Sequence, residues 1–309
     1  MYRKKIIIVD PVHPHLLISL KKKFSLVKYS PKIRYNELSK IIKNFHIIIL
    51  RSGLSLDKSL IKKAKQLEII ARAGVGLDNI DTEFAKKNKI KYFNIPSKSS
   101  LSVAEFAFGL LLSAARKINF ADTNLRKNIW SKSELYGYEI SYKSLGIIGF
   151  GDIGSKIAKI GKKFNMKIFA NVKDFSNTRK KKFKKKNIML TSLNYLMKHS
   201  DFVIISVPLN RETKDLINIK NLKLLKENSI IINISRGGVI KERDLLSILK
   251  KRKIFAAGID VFKKEKKYNN LFKLKNTVLT PHIGAMTYEA QKKIALSLEK
   301  KLSNLVKKI

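Results

Sequence analysis

Leu145-Gly146-Ile147-Ile148-Gly149-Phe150-Gly151-Asp152-Ile153-Gly154 is an apolar run closed by glycines spaced Gly-x-Gly-x-x-Gly. Ile153, Ile157, Ile160 and Phe164 follow at helical spacing, so the stretch reads strand, glycine turn, helix. Glycine permits the tight turn and lets backbone N–H groups approach a pyrophosphate at the positive end of the helix. Gly149, Gly151, Asp152, Ile153 and Gly154 are therefore candidate dinucleotide-binding residues. A purely structural glycine turn is the plain alternative.

The same alternation of strand and helix extends in both directions. Strands are expected downstream at 145–148, 167–170, 202–206, 229–233, 254–259 and 277–280, and upstream at 6–9, 26–28, 47–50, 67–71 and 91–93. Amphipathic stretches lie between them; in 57–66, Leu60, Ile61 and Ala64 share one face. A helix is expected over 101–119, followed by a polar stretch with the only tryptophan, Trp130. A last helix starts near Thr287, with Ile294, Leu298, Leu302, Leu305 and Ile309 on one face. The pattern is α/β, with two doubly wound parallel-sheet domains.

The chain has 309 residues, 44% hydrophobic and 29% charged, which suits folded domains and excludes a disordered chain. It has no cysteine, so disulfides, thiolate metal sites and cysteine nucleophiles are excluded, and no metal site is expected. The apolar stretch 6–9 is too short for a signal-peptide core, and 103–115 is interrupted by Glu105 and stops at Arg116. The expectation is a soluble, cytoplasmic protein without a membrane partner. A net charge of +43 would suit nucleic acid. But only 11 of the 66 basic residues are arginine, and lysine, isoleucine and asparagine, all with A/T-rich codons, crowd the whole chain. Codon bias accounts for that composition, and no specific nucleic-acid partner is expected.

Three strand ends near the C-terminus carry reactive groups. Asn233-Ile234-Ser235-Arg236-Gly237-Gly238 brings an arginine, Gly258-Ile259-Asp260-Val261-Phe262-Lys263-Lys264-Glu265 two carboxylates, and Thr280-Pro281-His282-Ile283-Gly284-Ala285 a histidine. In open α/β sheets, ligands sit at the carboxyl ends of strands. An arginine, a carboxylate and a histidine there can bind a carboxylate, orient an imidazole and move a proton. Taken singly, a histidine after proline is usually structural. His13, His15, His46 and His199 have no comparable setting and read as packing or surface residues.

The chain resembles the D-2-hydroxyacid dehydrogenase family along almost its whole length. The resemblance is carried by Ala71-Arg72-Ala73-Gly74-Val75-Gly76-Leu77-Asp78-Asn79-Ile80-Asp81, Asn94-Ile95-Pro96, Val103-Ala104-Glu105, the glycine turn, Val207-Pro208-Leu209, Pro281-His282-Ile283-Gly284-Ala285 and Glu289-Ala290-Gln291. Arg51-Ser52 after a strand, and the Pro-His-Ile-Gly-Ala form, tilt it toward the branch that oxidises 3-phosphoglycerate. The resemblance implies a Rossmann-type NAD(P) domain, 99–283, inserted into a flavodoxin-like substrate domain, 1–98 with 284–309. It also implies that Arg236, Glu265 and His282 are catalytic. Val172, Val207, Pro208, Ile234, Ser235, Asp260, Gly284 and Ala285 would join the glycine turn around NAD. Arg51, Ser52, Arg72, Gly74, Val75 and Gly76 would bind a small, phosphorylated 2-hydroxy acid, though Arg51 and Arg72 also read as strand-end charges. A homodimer is expected. With no room for a C-terminal amino-acid-sensing domain, inhibition by serine is not.

Three positions depart from the family's pattern. Val172 stands where NAD-preferring members carry an acid, with Asp174 two residues late and the basic run Arg179 to Lys186 close by, so NADP is the alternative cofactor. Asp152 stands where many members have an arginine, and Lys266 replaces a proline after Glu265. Two rival functions follow: a glyoxylate or hydroxypyruvate reductase, and a nucleotide-sensing corepressor of the same fold.

Overall fold

The computed structural model describes residues 2–307 apart from Phe175 and Lys266. Lys266 and Ile309, both singled out in the sequence, lie outside the described residues. The chain divides into two compact units, Met1–Ser99 with Met286–Ile309, and Ser100–Ala285.

In the first unit, β1 (Tyr2–Ile8), β2 (Phe24–Tyr29), β3 (Ile47–Leu50), β4 (Ile69–Arg72) and β5 (Lys91–Asn94) alternate with α1 (Pro14–Lys23), α2 (Tyr35–Ile41), α3 (Lys58–Lys63) and α4 (Thr82–Lys87). The strands pair in parallel in the order β2-β1-β3-β4-β5, a flavodoxin-like order. Ile6, Ile8, Ile47, Ile49 and Ile69 face one core with Leu16, Leu20 and Leu298. Ile7, Val9, Ile48, Leu50 and Ile70 face the other with Leu38, Leu60 and Ile61. Burial on both faces explains why these strands are continuous isoleucine runs instead of alternating apolar and polar. Each such side chain contributes about 1.5–3 kcal/mol.

The second unit contains α5 (Ser100–Ala115), α6 (Ile118–Leu125), β6 (Ser144–Ile148), α7 (Asp152–Lys163), β7 (Lys167–Asn171), α8 (Asn177–Lys184), β8 (Met189–Leu190), α9 (Leu193–His199), β9 (Phe202–Ile205), α10 (Ile219–Leu222), β10 (Ile230–Asn233), α11 (Glu242–Lys250), β11 (Ala256–Ile259) and β12 (Thr277–Leu279). Its parallel sheet runs β12-β11-β10-β9-β6-β7-β8. Counted from β6, that is the dinucleotide-fold order 3-2-1-4-5-6 with one strand added. The order reverses between β6 and β9, which makes their carboxyl ends the switch point where ligands bind. The last helix, α12 (Tyr288–Val306), belongs to the first unit. Its N-cap Thr287 accepts a hydrogen bond from the Ala290 N–H at 3.2 Å.

Two elements differ from the sequence reading. The helix expected over 101–119 is broken at Lys117, whose φ of 53° is left-handed, so the chain turns from α5 into α6. The edge strand β8 was not expected, because two residues carry no readable period.

Candidate active site

The glycine turn leaves β6 with Gly149 at φ 90°, and the Gly149 N–H donates to the Asn171 carbonyl at 2.9 Å. A Cβ at Gly149 would lie 2.7 Å from Val207 Cγ1, and one at Gly154 would lie 2.3 Å from the Gly149 carbonyl oxygen. A side chain at Gly149 would collide with the loop after β9, and one at Gly154 would push α7 off the turn. Gly151, the N-cap of α7, is different: a Cβ there would have nothing within 4 Å. That open space at the N-terminal end of the helix is a cradle that fits a pyrophosphate. Asp152 is exposed in the first turn of α7, and Ile153 packs against the core. Val172 follows β7 half-buried; Val207, half-buried, and Pro208, exposed, follow β9.

Three neighbouring strands carry the reactive groups off their carboxyl ends. After β10, Ile234 and Ser235 are buried, and the Ser235 N–H and hydroxyl both donate to Asn233 Oδ1, at 3.0 and 2.7 Å. Asn233 Nδ2 donates to the Arg236 carbonyl at 3.1 Å, and Arg236 Nη1 donates to the Ser235 carbonyl at 2.7 Å. The guanidinium is thus held by its own turn. A Cβ on Gly237 would lie 1.9 Å from the Phe262 carbonyl carbon, so only glycine lets the loops after β10 and β11 meet.

Asp260 follows β11 with 2% of its surface exposed. Its carboxylate accepts from Thr280 Oγ1 at 2.7 Å and from the N–H groups of Ile283 at 2.8 Å and Gly284 at 3.0 Å. Its carbonyl accepts from the His282 N–H at 2.8 Å. Burial pushes the Asp260 carboxyl above its ordinary value, opposed by those hydrogen bonds and by the charge of His282. The sequence pointed to Asp260 only as a cofactor contact; here it also clamps the loop that bears the histidine. Ser102 Oγ donates to the Gly284 carbonyl at 2.7 Å, and Ala285 packs partly buried on the core.

His282 has φ 58°, a left-handed conformation costly for a non-glycine residue. Its Nδ1 lies 2.7 Å from Glu265 Oε1. An imidazole whose Nδ1–H is committed to a carboxylate presents Nε2 to take or give a proton. Among the described residues, no cluster of histidine, aspartate or glutamate could hold a metal ion.

In the first unit the strand order reverses between β1 and β3, whose carboxyl ends carry Asp10 and Arg51. Asp10, unnoticed in the sequence, is buried and accepts from the Arg51 N–H. Arg51 Nη1 donates to the Pro11 carbonyl at 3.3 Å and Nη2 approaches Met286 Sδ at 2.9 Å. Burial lowers the affinity of Arg51 for its proton, and Asp10 opposes that effect. Ser52 is exposed. Arg72 is buried, with Nε donating to Asn79 Oδ1 at 3.3 Å and Nη1 to the Ala73 carbonyl at 3.2 Å. Asn79 Nδ2 in turn donates to the carbonyls of Arg51 and Leu54, both at 2.7 Å. Arg72 therefore braces the loop of Arg51. The Gly74 N–H donates to the Arg72 carbonyl at 2.9 Å, while Val75 is exposed and Gly76 half-buried.

A Rossmann-ordered sheet with an open glycine cradle and a carboxylate-tied imidazole defines a dinucleotide-dependent dehydrogenase. Residues 108–284 match the model of the D-isomer specific 2-hydroxyacid dehydrogenase NAD binding domain, and the chain belongs to that family. It is 39% identical over 306 residues to the hydroxypyruvate reductase of Thermotoga maritima, covering 98% of each chain. It is 38% identical over 293 residues to the D-3-phosphoglycerate dehydrogenase of Methanocaldococcus jannaschii, covering 93% of this chain and 55% of that enzyme. The crystal structure of D-lactate dehydrogenase from Aquifex aeolicus, complexed with NAD and lactic acid, superposes with a TM-score of 0.84 at 27% identity. That match covers 98% of this chain and 95% of the other.

Proposed function

We propose that this protein oxidises 3-phospho-D-glycerate to 3-phosphohydroxypyruvate, the entry step of L-serine biosynthesis. Bound NAD or NADP supplies the hydride acceptor, held by the glycine turn and α7. In the oxidative direction, His282 takes the C2 hydroxyl proton on Nε2; in reduction it returns that proton. Glu265 fixes the tautomer and the orientation of the ring. Arg236 binds the substrate carboxylate and polarises the C2 oxygen. The Val75 and Gly76 N–H groups supply further donors, and Arg51 binds the phosphate. The observation that carries the reading is the 2.7 Å contact between His282 Nδ1 and Glu265 Oε1 at the carboxyl edge of the same sheet that carries the dinucleotide cradle.

Phosphate recognition rests on Arg51, a half-buried guanidinium at a switch-point strand end. The second reading, a hydroxypyruvate reductase, is favoured by the full-length likeness to the Thermotoga maritima enzyme. Arg51→Ala separates the two. The proposal expects kcat/KM for phosphohydroxypyruvate to fall about tenfold or more, with hydroxypyruvate turnover within about twofold. An equal loss on both substrates would favour the reductase.

A homodimer belongs to the same proposal. Ile118 and Leu125 of α6, and Ile129, Trp130, Tyr136 and Tyr142 after it, are exposed. A second copy would cover this apolar set.

A further inference from the structure

In a Rossmann sheet, the adenosine ribose lies at the carboxyl end of the second strand, where NAD sites place a carboxylate to accept from its hydroxyls. Here that strand is β7, and its terminal Asn171 is tied by its carbonyl to the N–H of Gly149. The next side chain is Val172, which packs on the core and offers no acceptor. Asp174 faces its own loop: it accepts from the Ser176 N–H at 3.0 Å and from Arg179 Nη1 at 3.2 Å.

Arg179 stands out from the surrounding lysines. Arginine makes up only 11 of the 66 basic residues, so composition alone does not account for it. Its guanidinium lies over the Phe183 ring, 6.0 Å from the centroid. Phe183 is 7% exposed and packs, ring centroids 4.8 Å apart, on Phe150 of the glycine turn. A planar cation is thus anchored through two aromatic rings to the turn that cradles the dinucleotide. The carboxylate it pairs with, that of Asp174, is exposed to solvent. Lys173, paired with Glu212 at 2.5 Å, adds a second cation to the same strand end.

We propose that this site prefers NADP(H) to NAD(H), and that Arg179 is the residue that binds the 2′-phosphate. The inference rests on the dinucleotide reading above. Arg179 would exchange the Asp174 carboxylate for a phosphate dianion, which its fork can grip through two parallel hydrogen bonds. Val172 leaves an unphosphorylated ribose without the acceptor that makes NAD preferred elsewhere.

Binding tests this without turnover. NADPH and NADH are titrated by their own fluorescence, and 2′,5′-ADP and 5′-ADP by calorimetry. The expected result is a Kd about tenfold or more lower for each 2′-phosphorylated ligand. Arg179→Ala should remove that advantage and leave NADH within about twofold, while Arg179→Lys should keep part of it. Asp174→Asn should tighten NADPH alone. Equal or tighter binding of NADH by the unmodified protein would overturn the proposal whatever the variants do. So would an Arg179→Ala loss shared equally by both dinucleotides. Binding of neither would overturn the dinucleotide reading itself, and the proposal with it.

Discussion

His282 is held in a left-handed backbone by Asp260 and in ring orientation by Glu265, so two acids prepare one histidine. Glu265→Gln keeps the shape but not the charge-assisted bond. It should lower kcat about 100-fold and leave KM within about threefold, read by steady-state kinetics. Asp260→Asn tests the backbone clamp. It should cost about 1–3 kcal/mol in urea denaturation, because one of two backbone donors then faces an amide NH₂. The raised carboxyl of Asp260 adds a pH dependence. Its contribution is full below the ordinary aspartate value, near 4, and is lost as pH rises through the higher folded value. The stability gap between the native protein and Asp260→Asn should therefore narrow from acid to neutral pH; a gap that widens would contradict the assignment. Arg236, Glu265 and His282 were legible as strand-end residues. Asp10 and Asn79 were not, because their partners are 41 and 28 residues away and no local pattern announces them. Arg72 was legible as a charge but not as a brace, since burial of a guanidinium has no sequence signal.

The glycine turn was the most readable element, and it gives a paired test. Gly154→Ala should lower stability by about 1–3 kcal/mol, because its Cβ would sit 2.3 Å from the Gly149 carbonyl oxygen. Gly151→Ala meets only open space, so it should melt within about 0.5 kcal/mol of the native protein. The same variant should bind dinucleotide about tenfold or more weakly, because the added methyl fills the cradle. Destabilisation by Gly151→Ala with unchanged binding would show the turn to be structural only. The isoleucine runs of β1, β3, β9 and β10 were legible because strands buried on both faces have no polar partner positions. The break at Lys117 was not, since nothing in a lysine marks a left-handed residue. Lys117→Gly should be tolerated or stabilising by about 1 kcal/mol, seen in the melting temperature, whereas a helix running through 117 would lose about that amount.

At the scale of the molecule, two parallel sheets of different strand order account for the alternation of strand and helix along the chain. Among the described residues, no helix is long and apolar enough to cross a membrane. The exposed apolar set around Trp130 leads to a prediction for the assembled protein. Sedimentation at low micromolar concentration should give twice the 35.4 kDa chain mass, and Trp130→Glu should return the monomer. A monomeric native protein would remove the homodimer. The charge of +43 should give DNA binding that vanishes at physiological salt without sequence preference. Tight, sequence-specific binding would instead favour a corepressor. The most direct test of the whole account is the rate of NADPH and NADH oxidation with phosphohydroxypyruvate, hydroxypyruvate and glyoxylate, beside His282→Ala. The account predicts fastest turnover with phosphohydroxypyruvate, reduced about 10³-fold or more in the variant while dinucleotide binding persists. Turnover that survives the loss of His282, or folded protein that turns over none of the three, would contradict it.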